Sequence, residues 1–95
     1  VDGKVTAVLG THTHIPTADA RLLDNKTAYQ TDVGMTGDYN SVIGYDKENP
    51  IHAFTMGYRM EGRFKPAMGK GTICGAFIES DDKTGLANII ETFQL

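Results

Sequence analysis

The sequence has little cysteine and no long apolar run. Cys74 is the only cysteine, so an internal disulfide is excluded, and its apolar neighbours predict a buried structural thiol. No window approaches the roughly 18 continuous apolar residues of a membrane span, and no segment has the layout of a secretory signal. We therefore expect a reducing, cytoplasmic setting and no membrane partner.

A cluster of basic residues is also absent. The formal net charge is −3, which argues against a protein that coats DNA or an anionic membrane. A nucleotide in a pocket stays open, because a metal ion could supply the positive charge there. The chain contains no Ser–His–Asp arrangement, no phosphate-cradling Walker loop and no CxxC pair, so those chemistries are not indicated.

The length of 95 residues fits one domain or a piece of one, and the apolar fraction of 40% is ordinary for a globular protein. The chain begins at Val1-Asp2-Gly3-Lys4, without a methionine or a cap before the first predicted strand. We therefore expect residues 1–95 to form a fragment of a single domain.

Two of the three histidines, His12 and His14, follow the apolar run Val5–Leu9 and Gly10. This run predicts a strand buried on both faces, with the histidines at its carboxyl end, where ligand sites gather in open α/β sheets. On an extended backbone both imidazoles would project from one face, with Cα atoms about 6–7 Å apart. They could then bind one metal ion, or one ion each of a pair about 3.5–4 Å apart.

Three carboxylates near the histidines in sequence, Asp19, Asp32 and Asp38, are interpreted as turn or capping residues rather than as ligands. A His-x-His pair is a weak motif by itself, so metal binding and ordinary hydrogen bonding both remain open for His12 and His14. The third histidine, His52, is assigned an ordinary surface or packing role.

The rest of the chain predicts mainly short strands with one short helix. Asn49 is a candidate N-cap followed by Pro50 at the first helical position, and Gly57 ends this helix. The other predicted elements are a hairpin of 20–23 with 27–31, a helical turn at 41–44, a short edge strand near Phe64-Lys65, and a hairpin of 72–80 with 87–93.

Two stretches together resemble one family. Val8-Leu9-Gly10-Thr11-His12-Thr13-His14-Ile15-Pro16-Thr17-Ala18-Asp19 and Thr27-Ala28-Tyr29-Gln30-Thr31-Asp32-Val33-Gly34-Met35-Thr36-Gly37 are similar to the carboxyl-terminal part of YmdB-like bacterial metallophosphoesterases, a branch of the calcineurin-like superfamily. Ser41-Val42-Ile43-Gly44 and the turn at Thr84-Gly85 extend the similarity over nearly the whole chain. The combination of stretches is specific, whereas the paired histidines alone would indicate only the superfamily.

The resemblance implies an α/β fold: the carboxyl-terminal part of a four-layer α/β/β/α sandwich, strand-rich with one short helix. It also implies phosphodiesterase activity on 2′,3′-cyclic nucleotides, with 3′,5′-cyclic ones as further candidates, at a centre of two divalent ions, typically iron or manganese. In this family pattern His12 binds the second metal and His14 the first.

The family's remaining ligands and its proton-donating histidine lie further toward the amino terminus and have no counterpart here. We therefore expect this chain to need the upstream part of the same domain as a partner and to be inactive alone. No catalytic residue is assigned, the substrate-binding residues stay unknown, and a homo-oligomer is expected.

Two other interpretations remain. A fragment of a metal amidohydrolase would also place paired histidines at a strand end, but it predicts repeated strand–helix units after them. A non-catalytic structural or assembly module would retain the histidines and use the edge near Phe64 and the final hairpin for contacts.

Overall fold

A computed structural model describes all residues, 1–95, and they form two compact units. One unit comprises Val1–Met35 and Ile73–Leu95, and the other comprises Thr36–Thr72. The fold is mixed α/β, as predicted. Its elements are β1 (Ala7–Leu9), β2 (Arg21–Leu22), β3 (Ala28–Gln30), β4 (Thr36–Gly37), α1 (Glu48–Met56), β5 (Thr72–Ser80) and β6 (Ala87–Gln94).

The first sheet has β3 at its centre, with β1 parallel on one side and β2 antiparallel on the other. Ala28 and Gln30 of β3 are fully buried. The prediction that Val5–Leu9 forms a strand buried on both faces is wrong: β1 begins at Ala7 and lies at the edge of this sheet, so Leu9 is 44% exposed.

The hairpin predicted around Asp24-Asn25-Lys26 is confirmed, with shorter strands. The Lys26 amide donates to the Leu23 carbonyl at 2.9 Å, and the Leu23 amide donates to the Thr27 carbonyl at 2.9 Å. Lys26 has φ of 67°, the left-handed conformation that closes a three-residue hairpin loop. This loop brings β3 back between β1 and β2.

The hairpin of β5 and β6 is confirmed almost to the residue. At its turn, Asp81 Oδ1 accepts hydrogen bonds from the amides of Lys83 and Thr84 at 2.9 and 2.8 Å. The Ala87 amide donates to the Lys26 carbonyl at 2.9 Å, which ties this hairpin to the turn of the first sheet. Cys74 is buried in β5, as predicted.

The helix α1 begins two residues earlier than predicted, so the assignment of Asn49 as its N-cap is wrong. Lys47 is the cap residue, and Asp46 Oδ1 accepts the Glu48 amide at 3.0 Å. Pro50 is therefore the third helical residue, where the missing N–H still has no partner within the helix. The predicted end is confirmed at Gly57, which has φ of 77°. The chain's only helix lacks the length and apolar character required to cross a membrane.

Two local predictions in the unit Thr36–Thr72 are wrong. Residues 41–44 form no helical turn: Val42 and Tyr45 exchange two backbone hydrogen bonds of 2.9 Å around Ile43 and Gly44, whose φ values are 47° and 95°. Positive φ at both central positions is the conformation of a tight two-residue hairpin. The strand predicted near Phe64-Lys65 is absent, because only an isolated bridge joins Tyr45 to Pro66, which has no N–H to extend a ladder.

Candidate functional site

The histidine loop, Gly10–Ile15, leaves the carboxyl end of β1 in close contact with the backbone that follows β3. The Gly10 amide donates to the Gln30 carbonyl at 3.0 Å, and the Val33 amide donates to the Gly10 carbonyl at 3.0 Å. A Cβ atom at Gly10 would lie 1.9 Å from the Thr31 carbonyl oxygen. Only glycine therefore allows this approach, which brings residues 31–33 beside the histidines.

Asp32 holds the amino-terminal half of the histidine loop. Its Oδ2 atom accepts hydrogen bonds from the His12 amide at 2.8 Å, the Thr13 amide at 2.6 Å and the Thr13 hydroxyl at 2.8 Å. Its Oδ1 atom accepts one from the Gly34 amide at 2.8 Å. The residue is 1% exposed, so the bonds replace water around a buried carboxylate.

These bonds also determine the charge of Asp32. The Gly34 amide, with the hydroxyl and amide of Thr13 and the amide of His12, lowers the pKa of the Asp32 carboxyl to about 2, although burial opposes this shift. The group is therefore an anion at neutral pH, with both oxygens engaged by the chain itself. The bond to the Gly34 amide is the local turn contact that the sequence indicated. The bonds to His12 and Thr13, 20 and 19 positions away, are contacts between distant segments that the sequence did not predict.

The histidine loop is not extended. His14 has φ of 67°, and residues 12–15 form a bend, so the prediction that an extended strand carries both imidazoles on one face is wrong. The physical reason is that one oxygen of Asp32 accepts two consecutive amides, which would point to opposite sides in an extended strand. His12 is exposed and His14 is half-buried.

Asp19 and Asp38 each bind a residue two positions away and a second residue in a more distant segment. Asp19 accepts hydrogen bonds from the hydroxyls of Thr17 and Thr31, and from the Thr31 amide at 3.1 Å. These bonds lower the pKa of the Asp19 carboxyl to about 2, and the bond from the Thr17 hydroxyl contributes most to this shift. Asp38 lies in the unit Thr36–Thr72, where it accepts the amides of Asn40 and Gly69 at 2.8 and 3.0 Å.

Gln30 is a structural residue that the sequence analysis missed. Its buried amide nitrogen donates to the carbonyls of Thr17 and Asp32 at 3.1 and 2.9 Å, so it joins the two segments that hold the histidine loop. Its Oε1 atom is buried and has no protein partner. The alternation of β3, which places Gln30 on the face of buried Ala28, is the signal that could have identified it.

The side chains of this chain do not complete a metal site. No group of three or more His, Cys, Asp or Glu side chains converges in a way that could hold an ion. His12 and His14 offer two nitrogen donors, fewer than the three protein ligands typical of a catalytic zinc site. His52 packs against Tyr58, with ring centroids 5.0 Å apart and Nδ1 3.1 Å from the Tyr58 carbonyl oxygen, as its assigned packing role requires.

Comparison with known proteins gives consistent matches over almost the whole chain. The family described as YmdB-like protein matches residues 1–93. A 2′,3′-cyclic-nucleotide 2′-phosphodiesterase of Bacillus subtilis (strain 168) is 49% identical over 90 residues, covering 95% of this chain and 33% of that protein. The matching protein is thus about three times as long as this chain.

Two crystal structures have the same backbone arrangement. A phosphatase from Mycoplasma pneumoniae aligns with a TM-score of 0.89 and 38% identity, over 99% of this chain and 33% of that one. A hypothetical protein from Thermus thermophilus aligns with a TM-score of 0.86 and 40% identity, over 99% of this chain and 36% of that one. The chain spans about a third of the length of the relatives that it matches.

Proposed function

Because this chain belongs to the YmdB-like protein family, we propose that it is part of a metal-dependent phosphodiesterase that hydrolyses cyclic nucleotides. The name of the Bacillus subtilis relative supports a 2′,3′-cyclic substrate. The calcineurin-like α/β fold shared with the Mycoplasma pneumoniae phosphatase supports phosphoester chemistry. Activity on 3′,5′-cyclic nucleotides is a further part of the proposal.

In this proposal His12 and His14 each donate one imidazole nitrogen to a different ion of a two-metal centre, with His12 on the second ion and His14 on the first. The observation that supports it most is the anchoring of their loop: buried Asp32 fixes the amides of His12 and Thr13 at the end of β1. Side chains on an anchored loop keep the geometry that metal ligation demands. The ions, iron or manganese, would supply Lewis-acid chemistry at the phosphoryl oxygens.

The proposal assigns the other ligands to the upstream part of the same domain, because this chain holds too few to complete a site. No catalytic or substrate-binding residue is assigned within residues 1–95. A cytoplasmic location and assembly as a homo-oligomer stay predictions from the sequence.

The course of the chain after the histidines argues against an amidohydrolase fragment. That class predicts strand–helix repeats, whereas residues 20–95 contain the β2–β3 and β5–β6 hairpins, the tight turn between Val42 and Tyr45, and one nine-residue helix. A non-catalytic assembly module remains the competing function, and the experiment described next separates it from the phosphodiesterase.

The test is a chimera in which residues 1–93 replace the matching third of the Bacillus subtilis phosphodiesterase, assayed on 2′,3′-cyclic AMP with metal content measured per chain. We expect hydrolysis and close to two ions per chain. His12→Ala and His14→Ala should each lower kcat/KM by more than about 100-fold, because loss even of an outer-shell partner costs about 10–100-fold. Each variant should also lose about one bound ion.

His52→Ala is the matched control, because it removes the third imidazole from a residue that packs against Tyr58. It should keep the activity and the metal content. If both loop variants retained the activity and the metal of the unmutated chimera, the assignment of His12 and His14 as ligands would be wrong. A folded chimera with no hydrolysis would favour the assembly module.

A further inference from the structure

We propose that Asp32 is the positioning residue for the two histidines: it determines the backbone path of the histidine loop and, through it, the placement of the imidazoles of His12 and His14. The catalytic part of this inference rests on the proposed function. The conformational part does not, since it concerns the shape of the loop before any ligand binds.

One carboxylate oxygen of Asp32 accepts three donors of the histidine loop. Oδ2 of Asp32 accepts the amides of His12 and Thr13 and lies 2.8 Å from the Thr13 hydroxyl. Two consecutive N–H groups aimed at one oxygen fix the peptide plane between them. The chain then continues into His14 with φ of 67°, a conformation that a residue other than glycine adopts only when its surroundings impose it.

Asp32 is itself held from several sides. Its amide donates to the Thr17 hydroxyl at 3.0 Å, and its carbonyl accepts the Thr17 amide and the Gln30 side chain, both at 2.9 Å. Its Oδ1 atom accepts the Gly34 amide. The carboxylate is thus a fixed point at the end of β3, and the loop adapts to it rather than the reverse.

The surroundings of Asp32 favour a positioning role over metal ligation. Four donors of this chain engage the two oxygens of Asp32, and the residue is 1% exposed, so metal or substrate has little access to it. Any effect of Asp32 on chemistry must pass through the histidine loop. Groups that orient ligating histidines from outside typically contribute about 10–100-fold to activity or metal affinity.

The Thr13 hydroxyl lies beside Oδ2 of Asp32 and also bonds the amide and carbonyl of Ile15 within the histidine loop. Thr13→Ser keeps these three contacts, whereas Thr13→Val replaces the hydroxyl with a methyl group of nearly the same volume and removes all of them. Asp32→Asn is the stronger change, because an amide presents N–H donors to a site where every neighbour is already a donor. Asp81→Asn is the matched control: Asp81 also accepts two turn amides, but at the β5–β6 hairpin.

The experiment uses the chimera described above, with two measurements. In the chelator-treated protein labelled on histidine rings, NMR follows the ring signals of His12 and His14, assigned through the two alanine variants. In the metal-loaded protein, steady-state kinetics on 2′,3′-cyclic AMP separates kcat from KM.

We expect Asp32→Asn to shift the ring signals of both histidines and to lower kcat by about 10–100-fold, with KM changed by less than about 3-fold. Thr13→Val should act in the same direction by a smaller factor, Thr13→Ser should restore both readouts, and Asp81→Asn should leave both unchanged. If Asp32→Asn failed to fold, the Thr13→Val and Thr13→Ser pair would decide.

Unshifted ring signals in both Asp32→Asn and Thr13→Val would overturn the inference. Shifted signals with an unchanged kcat would overturn its catalytic part and leave the proposed function intact. Conversely, if His12→Ala and His14→Ala had no effect on hydrolysis, the proposed function would fail, while the NMR comparison would still test whether Asp32 shapes the loop.

Discussion

Gly10 and Gly75 both lie too close to a neighbouring residue to carry a Cβ atom without movement, but the kind of neighbour differs. A Cβ at Gly10 would meet the Thr31 carbonyl oxygen at 1.9 Å, and that oxygen belongs to backbone. A Cβ at Gly75 would meet the Phe93 ring at 2.7 Å, but this ring is 39% exposed and can rotate away. The first contact therefore resists substitution much more strongly than the second.

We predict that Gly10→Ala destabilises the chain by about 1–3 kcal/mol, because it forces apart the backbone of β1 and residues 31–33. Gly75→Ala should cost less than about 1 kcal/mol, since only a side chain must move. Urea unfolding followed by circular dichroism gives both values. Equal costs for the two variants would contradict the distinction between backbone and side-chain contacts.

Asp19 gives a pH dependence with a definite sign. The hydroxyls of Thr17 and Thr31 lower the pKa of this carboxyl to about 2 in the folded chain, against about 3.9 in the unfolded chain. A carboxyl with a depressed folded-state pKa contributes stability above the unfolded value, and this contribution is lost as pH falls through the range between them.

We therefore predict that the free energy of unfolding of the native chain falls more steeply between pH 4 and pH 2 than that of Asp19→Asn. The measurement is urea unfolding at half-unit pH intervals for both proteins. Parallel curves in this range would show that Asp19 carries no such contribution. Thr31→Val, which removes one of the two hydroxyl donors, should give an intermediate slope.

At the scale of elements, the sequence predicts best where local signals agree. The hairpin of β5 and β6 has two runs that contain several apolar residues and a turn that begins with Asp81 and reaches Gly85, and its bounds are nearly as predicted. The end of α1 at Gly57 follows from a glycine that adopts the left-handed conformation. In both cases the residues that determine the structure are neighbours in sequence.

The failures arise where distant residues or costly conformations decide. Ile43 has φ of 47°, which is unfavourable for a β-branched residue, so sequence alone gave no reason to expect a tight turn there. The bend of the histidine loop depends on Asp32, a residue 19 and 20 positions away from the amides that it binds. The presence of the two histidines was thus readable from sequence, whereas the conformation of their backbone was not.

At the scale of the whole molecule, burial is concentrated in the unit formed by Val1–Met35 and Ile73–Leu95. All six buried residues lie there, and three of them, Thr27, Gln30 and Asp32, are polar or charged. In the unit Thr36–Thr72, α1 buries no residue and Phe54 is 92% exposed. The stability of the chain is therefore expected to be uneven along the sequence.

We predict that hydrogen exchange of the amides in β3 is the slowest in the chain and that α1 exchanges at least about 10-fold faster, because its backbone hydrogen bonds are open to solvent. NMR or mass spectrometry after transfer to deuterated buffer measures both. The amides of β5 and β6 serve as an internal reference, because each of these strands contains one buried residue. Exchange of α1 as slow as that of β3 would contradict the prediction.

The contact between Asp32 and the histidine loop also sets an order of events during synthesis. The amides of His12 and Thr13 leave the ribosome about 20 residues before the carboxylate that binds them. Thr17 and Gln30, which hold the backbone of Asp32, also leave before it. At about 5–20 residues per second this interval lasts about 1–4 s. During this interval the histidine loop lacks the carboxylate that holds its backbone. The two histidines therefore acquire their fixed arrangement only when β3 and the residues up to Asp32 have been made.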